Sequence, residues 1–179
     1  MKLGIFMGSF NPPHKGHIGV MNYLLDNGYV DKILVVPTLN YWNKNNLIDI
    51  KDRINMLKFY ENDNIIIDTD HNEYIYTIDL LHEIEKDYPN YLLSVIIGAD
   101  NIINLDKWKN YQELLKYNII VMNRSDIDIE KYTSKYLGNF TIINDFNMPI
   151  SSTRIRGSLS EDYLDKEILN YIKENNLYE

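Results

Sequence analysis

The stretch Leu3-Gly4-Ile5-Phe6-Met7-Gly8-Ser9-Phe10-Asn11-Pro12-Pro13-His14-Lys15-Gly16-His17 decides how this chain reads. Its first four residues are a short apolar run of strand character. A glycine turn follows and carries two prolines and two histidines into the opening of a helix. Gly8 permits close approach of the backbone to a ligand. Ser9 and Phe10 offer N–H groups, and Pro12 and Pro13 stiffen the loop. His14 and His17 are three apart, so on a helical turn they share one face. Strand, turn and helix start together aim N–H groups and imidazoles at one place, an arrangement suited to a polyphosphate.

Outward from this stretch the chain alternates between two patterns. Apolar, β-branched runs at 3–6, 32–36, 64–67, 92–97, 119–122 and 140–143 predict strands. Amphipathic spacing predicts helices over 16–26, 50–60, 77–88, 107–115, 129–136 and 161–175. Short strands separated by helices imply an α/β fold with a doubly wound, mainly parallel sheet, here one domain across residues 1–179. Ligands of such sheets bind beyond the carboxyl ends of the strands, near a switch point in strand order. The stretch 8–17 follows the first strand, 37–44 the second, Gly98-Ala99-Asp100 the fourth and Asn123-Arg124 the fifth. Segments far apart in sequence are therefore expected on one rim.

Composition narrows the class. The 179 residues, 45% of them apolar, suffice for one domain with a core. No segment approaches the roughly 20 apolar residues of a membrane span, so no membrane partner is expected. Met1 leads straight into a strand, so no signal peptide is expected. Cysteine is absent, which removes disulfides and thiolate catalysis and points to the cytoplasm. With 26 acids against 18 bases the net charge is −8, so a broad nucleic-acid surface is disfavoured while a local basic pocket is not.

An isolated H-x-x-H is compatible with a surface pair, a helix cap or a metal pair. The third ligand of the H-E-x-x-H type is missing, and neither a Walker A loop nor G-x-G-x-x-G is present. Gly-Ser-Phe-Asn-Pro-Pro ahead of the histidines, anchored to a strand, favours phosphate. A second run, Ile150-Ser151-Ser152-Thr153-Arg154-Ile155-Arg156, reads by itself as a Ser/Thr helix cap. Asp100 reads as a turn or cap acid, or as an acceptor for ribose hydroxyls. Trp108 has Leu105 and Tyr111 at helical spacing and reads by itself as core.

These runs carry a family resemblance. Gly8–His17 resembles the G-[TS]-F-[DN]-P-x-[HT]-x-G-H signature of the histidine-signature nucleotidyltransferase superfamily. Ile150–Arg156 resembles the I-S-S-T-x-[IV]-R signature of bacterial nicotinate-nucleotide adenylyltransferases. Between them, in the family's order, lie Tyr76-Thr77-Ile78-Asp79-Leu80-Leu81, Gly98-Ala99-Asp100-Asn101 and Leu105-Asp106-Lys107-Trp108. The resemblance runs from Leu3 to about Arg156 and implies a Rossmann-like nucleotidyltransferase fold. It implies transfer of the adenylyl group of ATP to nicotinate mononucleotide, giving deamido-NAD and pyrophosphate. The attack is in line and needs no covalent enzyme intermediate.

The resemblance also implies roles. His14, His17 and Arg156 are the catalytic residues, with His17 on the transferring group. Gly8, Ser9, Phe10, Gly16, Gly98, Asp100, Arg124, Ser152 and Thr153 bind ATP. Lys44, Tyr76, Thr77, Trp108 and Lys109 bind the pyridine nucleotide, Trp108 by stacking on its ring. Mg²⁺ is expected to arrive with ATP, held by phosphates and water rather than by a protein cage. The chain departs from the family pattern at Tyr41-Trp42-Asn43-Lys44, where Pro-Pro-His-Lys is usual, and at Asn11, where Asp is commoner. Nicotinamide mononucleotide as acceptor, dual specificity, and a catalytically silent nucleotide-binding regulator are the competing readings. Homo-oligomerisation is left open.

Overall fold

The computed structural model describes residues 1–39, 46–123, 127–146, 152–157 and 159–178. Six parallel strands form one sheet: β1 (Lys2–Gly8), β2 (Lys32–Pro37), β3 (Ile65–Ile67), β4 (Leu92–Gly98), β5 (Asn118–Met122) and β6 (Asn139–Ile143). Their order is β3-β2-β1-β4-β5-β6. The order reverses between β1 and β4, the position at which doubly wound sheets open a crevice. Registers align the carboxyl ends there, with Gly8 opposite Pro37 and Phe6 opposite Ile96.

Alternation along the strands feeds two cores. Ile33, Val35, Ile65 and Ile96 face one side, where they meet Val20, Met21 and Leu24 of α1 (Lys15–Asp26). Met56 and Leu57 of α2 (Ile50–Leu57) and Ile168 and Ile172 of α8 (Lys166–Glu174) join them. Leu34, Val36, Val95 and Ile97 face the other side, against Leu80, Leu81 and Ile84 of α3 (Thr77–Asp87). Strands buried on both faces read as near-continuous apolar runs, as the central strands β2 and β4 do here.

The helices depart from expectation chiefly in two places, besides ending sooner at Leu57, where a 3₁₀ turn over Lys58–Tyr60 follows, and at Thr133. The run 107–115 is not one helix. After α4 (Ala99–Ile102) a short 3₁₀ turn covers Leu105–Lys107, Trp108 is extended, and Asn110 takes a left-handed φ of 49° before α5 (Tyr111–Leu114). Asn tolerates that conformation better than most residues, and the break lets Trp108 turn out of the helical spacing. The run 161–175 is helical only as α8, because Asp165 caps it with extended backbone while its carboxylate accepts from Tyr60 Oη at 2.7 Å. Among the described residues the remaining α-helices are α6 (Ile129–Thr133) and α7 (Ser152–Arg156), and α7 is separate from α8.

Candidate active site

The loop between β1 and α1 forms the centre of the rim. Phe10 sits at φ 44°, an uncommon conformation for a bulky residue. This turns its ring inward, where it packs edge-on against Phe6 at 5.4 Å and His17 at 4.9 Å. A Cβ on Gly8 would lie 3.1 Å from the Phe10 ring, so any larger residue would need that ring to give by a few tenths of an ångström. His14 is the N-cap of α1 and is almost fully buried. Its Nδ1 accepts from Gly16 N–H at 3.1 Å, while His17 Nδ1 accepts from His14 N–H at 3.2 Å. The rings stack with centroids 3.6 Å apart. An Nδ1 that accepts leaves the ring proton on Nε2, so the hydrogen bonds assign each imidazole a donor at Nε2.

Two buried polar side chains brace this loop from beneath. Arg53, on α2, is 1% exposed. It donates to the carbonyls of Ser9 (2.7 Å), Thr38 (2.8 Å) and Ile48 (3.1 Å), so one guanidinium holds the segments after β1 and β2 together. Burial lowers its pKa, with nearby Tyr178 and Asp49 opposing that shift. Asn11 donates to Asn46 O at 2.8 Å, and its own carbonyl accepts from Arg156 Nη1 at 2.6 Å. Ser152 Oγ donates to Pro12 O at 3.2 Å, so α7 docks on this loop through two consecutive carbonyls.

Beyond the switch point lies the second wall. Lys109 Nζ donates to both Asp79 oxygens, at 2.7 and 3.0 Å, and stands 4.8 Å over the Tyr76 ring. This ties the start of α3 to the extended segment that carries Trp108. His71 holds the preceding loop, with Nδ1 3.1 Å from Asp68 and Nε2 3.1 Å from Asp87.

A cavity of about 630 Å³ opens between these walls. Gly8, Ser9, Phe10, His17 and Ser152 line one side. Tyr76, Thr77, Trp108 and Lys109 line it as well, with Gly98 and Asp100 at the end of β4. Of the other expected residues, His14, Gly16, Thr153 and Arg156 are not in the lining; His14 stacks against His17, and Arg156 Nη2 donates to Thr153 Oγ1 at 3.4 Å. Lys44 and Arg124, like Trp42, lie outside the described residues. A second cavity of about 680 Å³ opens at the amino ends of the strands beside Lys2, Ser94 and Asn118, and contains none of the expected residues.

Sequence reading missed the structural weight of Arg53, Asn11, Asp79 and His71. Arg53 had a signal: it shares the apolar face of its helix with Ile50 and Leu57, where an arginine calls for buried acceptors. His71 also had a local signal in Asp68 three residues before it, whereas the hydrogen-bond partners of Asn11 and Asp79 are distant in sequence.

Comparison with known proteins agrees with this geometry. A family model described as cytidylyltransferase-like matches residues 5–158. A protein of Flavobacterium johnsoniae named a probable nicotinate-nucleotide adenylyltransferase is 31% identical over 191 residues, covering 99% of both chains. One of the same name from Borreliella afzelii is 34% identical over 194 residues, covering 99% of this chain and 97% of that protein. The structure of Plasmodium falciparum nicotinic acid mononucleotide adenylyltransferase complexed with NaAD superposes with a TM-score of 0.81. That likeness, at 24% identity over 99% of this chain and 97% of the other, is one of fold. Full-length similarity of this degree, on a switch-point sheet whose rim carries the histidine loop, means that the chain belongs to the nicotinate-nucleotide adenylyltransferase family of cytidylyltransferase-like nucleotidyltransferases.

Proposed function

We propose that this protein transfers the adenylyl group of ATP to nicotinate mononucleotide and releases pyrophosphate, forming deamido-NAD for NAD synthesis. The observation that carries this reading is the single cavity lined both by the His17 loop and by Trp108 with Tyr76. A phosphate oxygen of the mononucleotide attacks the α-phosphorus of ATP in line as the bond to the bridging β-phosphate oxygen breaks. The attacking phosphate is already anionic, so no carboxylate base and no covalent intermediate are needed. Catalysis then rests on positioning and on donors aimed at the phosphoryl oxygens.

In this mechanism His17 directs Nε2–H at the α-phosphate, with N–H groups of Ser9 and Phe10 beside it. Ser152, Thr153 and Arg156 serve the β- and γ-phosphates from α7, and Asp100 accepts from ribose hydroxyls beyond Gly98. Trp108 stacks on the pyridine ring. Tyr76, Thr77 and the backbone around Lys109 bound the ring's carboxylate, since the Lys109 ammonium is already engaged by Asp79. His14, stacked beneath His17, orients it. Lys44 and Arg124 are proposed for the acceptor phosphate and the adenine side. The groups facing the phosphates are hydrogen-bond donors rather than a carboxylate cage, which fits Mg²⁺ carried on the triphosphate with water. Bound so, the ion screens phosphate charge.

Donors facing a carboxylate reject an amide, which presents its own N–H₂ to them. Pyrophosphate release should therefore show a kcat/KM for nicotinate mononucleotide that exceeds that for nicotinamide mononucleotide by ~10²-fold or more. Comparable or reversed values would retain the chemistry but overturn the acceptor assignment. Release with neither would overturn the activity and favour a silent nucleotide-binding regulator.

A further inference from the structure

We propose that Tyr178 is a positioning residue for this site, acting through the Asn11 carboxamide on the carbonyls that seat α7. The proposal rests on the adenylyl-transfer reading above. Tyr178 is 167 positions from Asn11 in sequence, yet its hydroxyl donates to Asn11 Oδ1 at 2.8 Å. Its backbone lies at φ 66°, a left-handed conformation uncommon for a bulky residue. Burial pushes the phenol pKa upward, so the hydroxyl stays protonated and remains a donor.

Asn11 is 4% exposed, and every polar atom of its side chain has a partner. Oδ1 takes Tyr178 Oη and, at 3.3 Å, Ile48 N–H; Nδ2 gives to Asn46 O. Two donors on the oxygen and a carbonyl on the nitrogen leave one orientation for the amide. The carbonyls of residues 11 and 12 hold Arg156 and Ser152. The plane of the Asn11 peptide therefore sets where the α7 donors sit. An aspartate at position 11 would set a carboxylate against the Asn46 carbonyl, which gives this chain a reason for Asn where Asp is commoner. Tyr178 touches no reacting atom; it locks the amide from behind.

The test compares Tyr178→Phe with Tyr171→Phe. Tyr171 Oη donates to Asp52 Oδ1 (2.8 Å) and accepts from Asn55 Nδ2 (2.9 Å), docking α8 on α2 without touching the loop. It is a control for loss of a partly buried, hydrogen-bonded phenol. Tyr178→Phe should lower kcat about tenfold and weaken ATP binding in calorimetry, as expected when donors are misplaced. It should leave the KM for the pyridine nucleotide within about twofold. Tyr171→Phe should lower the thermal midpoint and leave kcat unchanged. Asn11→Asp should reproduce the kcat loss, and Tyr178→Phe added to it should change little further. Wild-type kcat and ATP affinity in Tyr178→Phe, or an equal kcat loss in Tyr171→Phe, would overturn the proposal. If the wild-type protein releases no pyrophosphate but binds ATP, the functional reading fails alone and ATP affinity still decides the role of Tyr178. Absence of ATP binding would overturn both.

Discussion

At the scale of single residues, the His14–His17 pair divides its labour. Both rings accept at Nδ1 from backbone N–H groups of the helix start, so both are locked in orientation and tautomer. Only His17 reaches the cavity wall. His14 is buried and stacks on His17, whose ring lines the cavity. In the proposed mechanism His17 stabilises charge that develops on the transferring group. His17→Ala should therefore cut kcat by ~10²-fold or more. Steady-state pyrophosphate release at saturating substrates, with circular dichroism to verify folding, measures this. A folded variant with near-normal turnover would remove His17 from the chemistry.

At the scale of elements, the site depends on how loops from separate strands are held in register. The sheet brings the ends of β1 and β2 side by side, and Thr38 N–H donates to Gly8 O at 2.9 Å. Arg53 then fastens both loops from inside α2. Its stem is buried and its three carbonyl partners have few alternatives. Arg53→Met should leave those acceptors without their donor and cost roughly 2–4 kcal/mol of folding stability. The KM for ATP should rise with it, since Ser9 belongs to the proposed phosphate loop. Urea unfolding gives the first number, and a loss below about 1 kcal/mol would show that water replaces the guanidinium. The extended backbone at Trp108 is a second device of this scale. Breaking the expected helix lets the indole line the cavity while it still packs against the core on the α3 side, and Lys109 with Asp79 ties the segment to α3.

At the scale of the whole molecule, buried phenols link stability to pH. The pKa values of Tyr60, Tyr117 and Tyr178 are all raised, chiefly by burial, with Asp165 and Glu85 adding to the first two through hydrogen bonds. In the unfolded chain these hydroxyls titrate near about 10. Above that pH the unfolded state has released protons that the native state still holds, so stability falls as pH rises. Below it the contribution is fully present. The urea midpoint should therefore hold steady to about pH 9 and drop toward pH 11, and Tyr60→Phe should make the drop shallower. A midpoint that stays constant to pH 11 would contradict this account.

The sequence by itself determined the strand set, the parallel doubly wound class, the rim on which the motifs meet and the family. These follow from local periodicity and from motifs whose geometry is built within a dozen residues, such as the strand–turn–helix of residues 3–17. Only the tertiary structure decided that His14 lies behind His17, that Trp108 leaves its helix, and that Arg53, Asn11 and Tyr178 brace the loop between β1 and α1. The His14–His17 stack is local but needs the folded helix start to form; the others depend on a partner contributed by a distant segment, as Tyr178 on Asn11 and Lys109 on Asp79. A buried hydrogen bond is specified by both its ends and by the fold that joins them, so neither residue alone announces it.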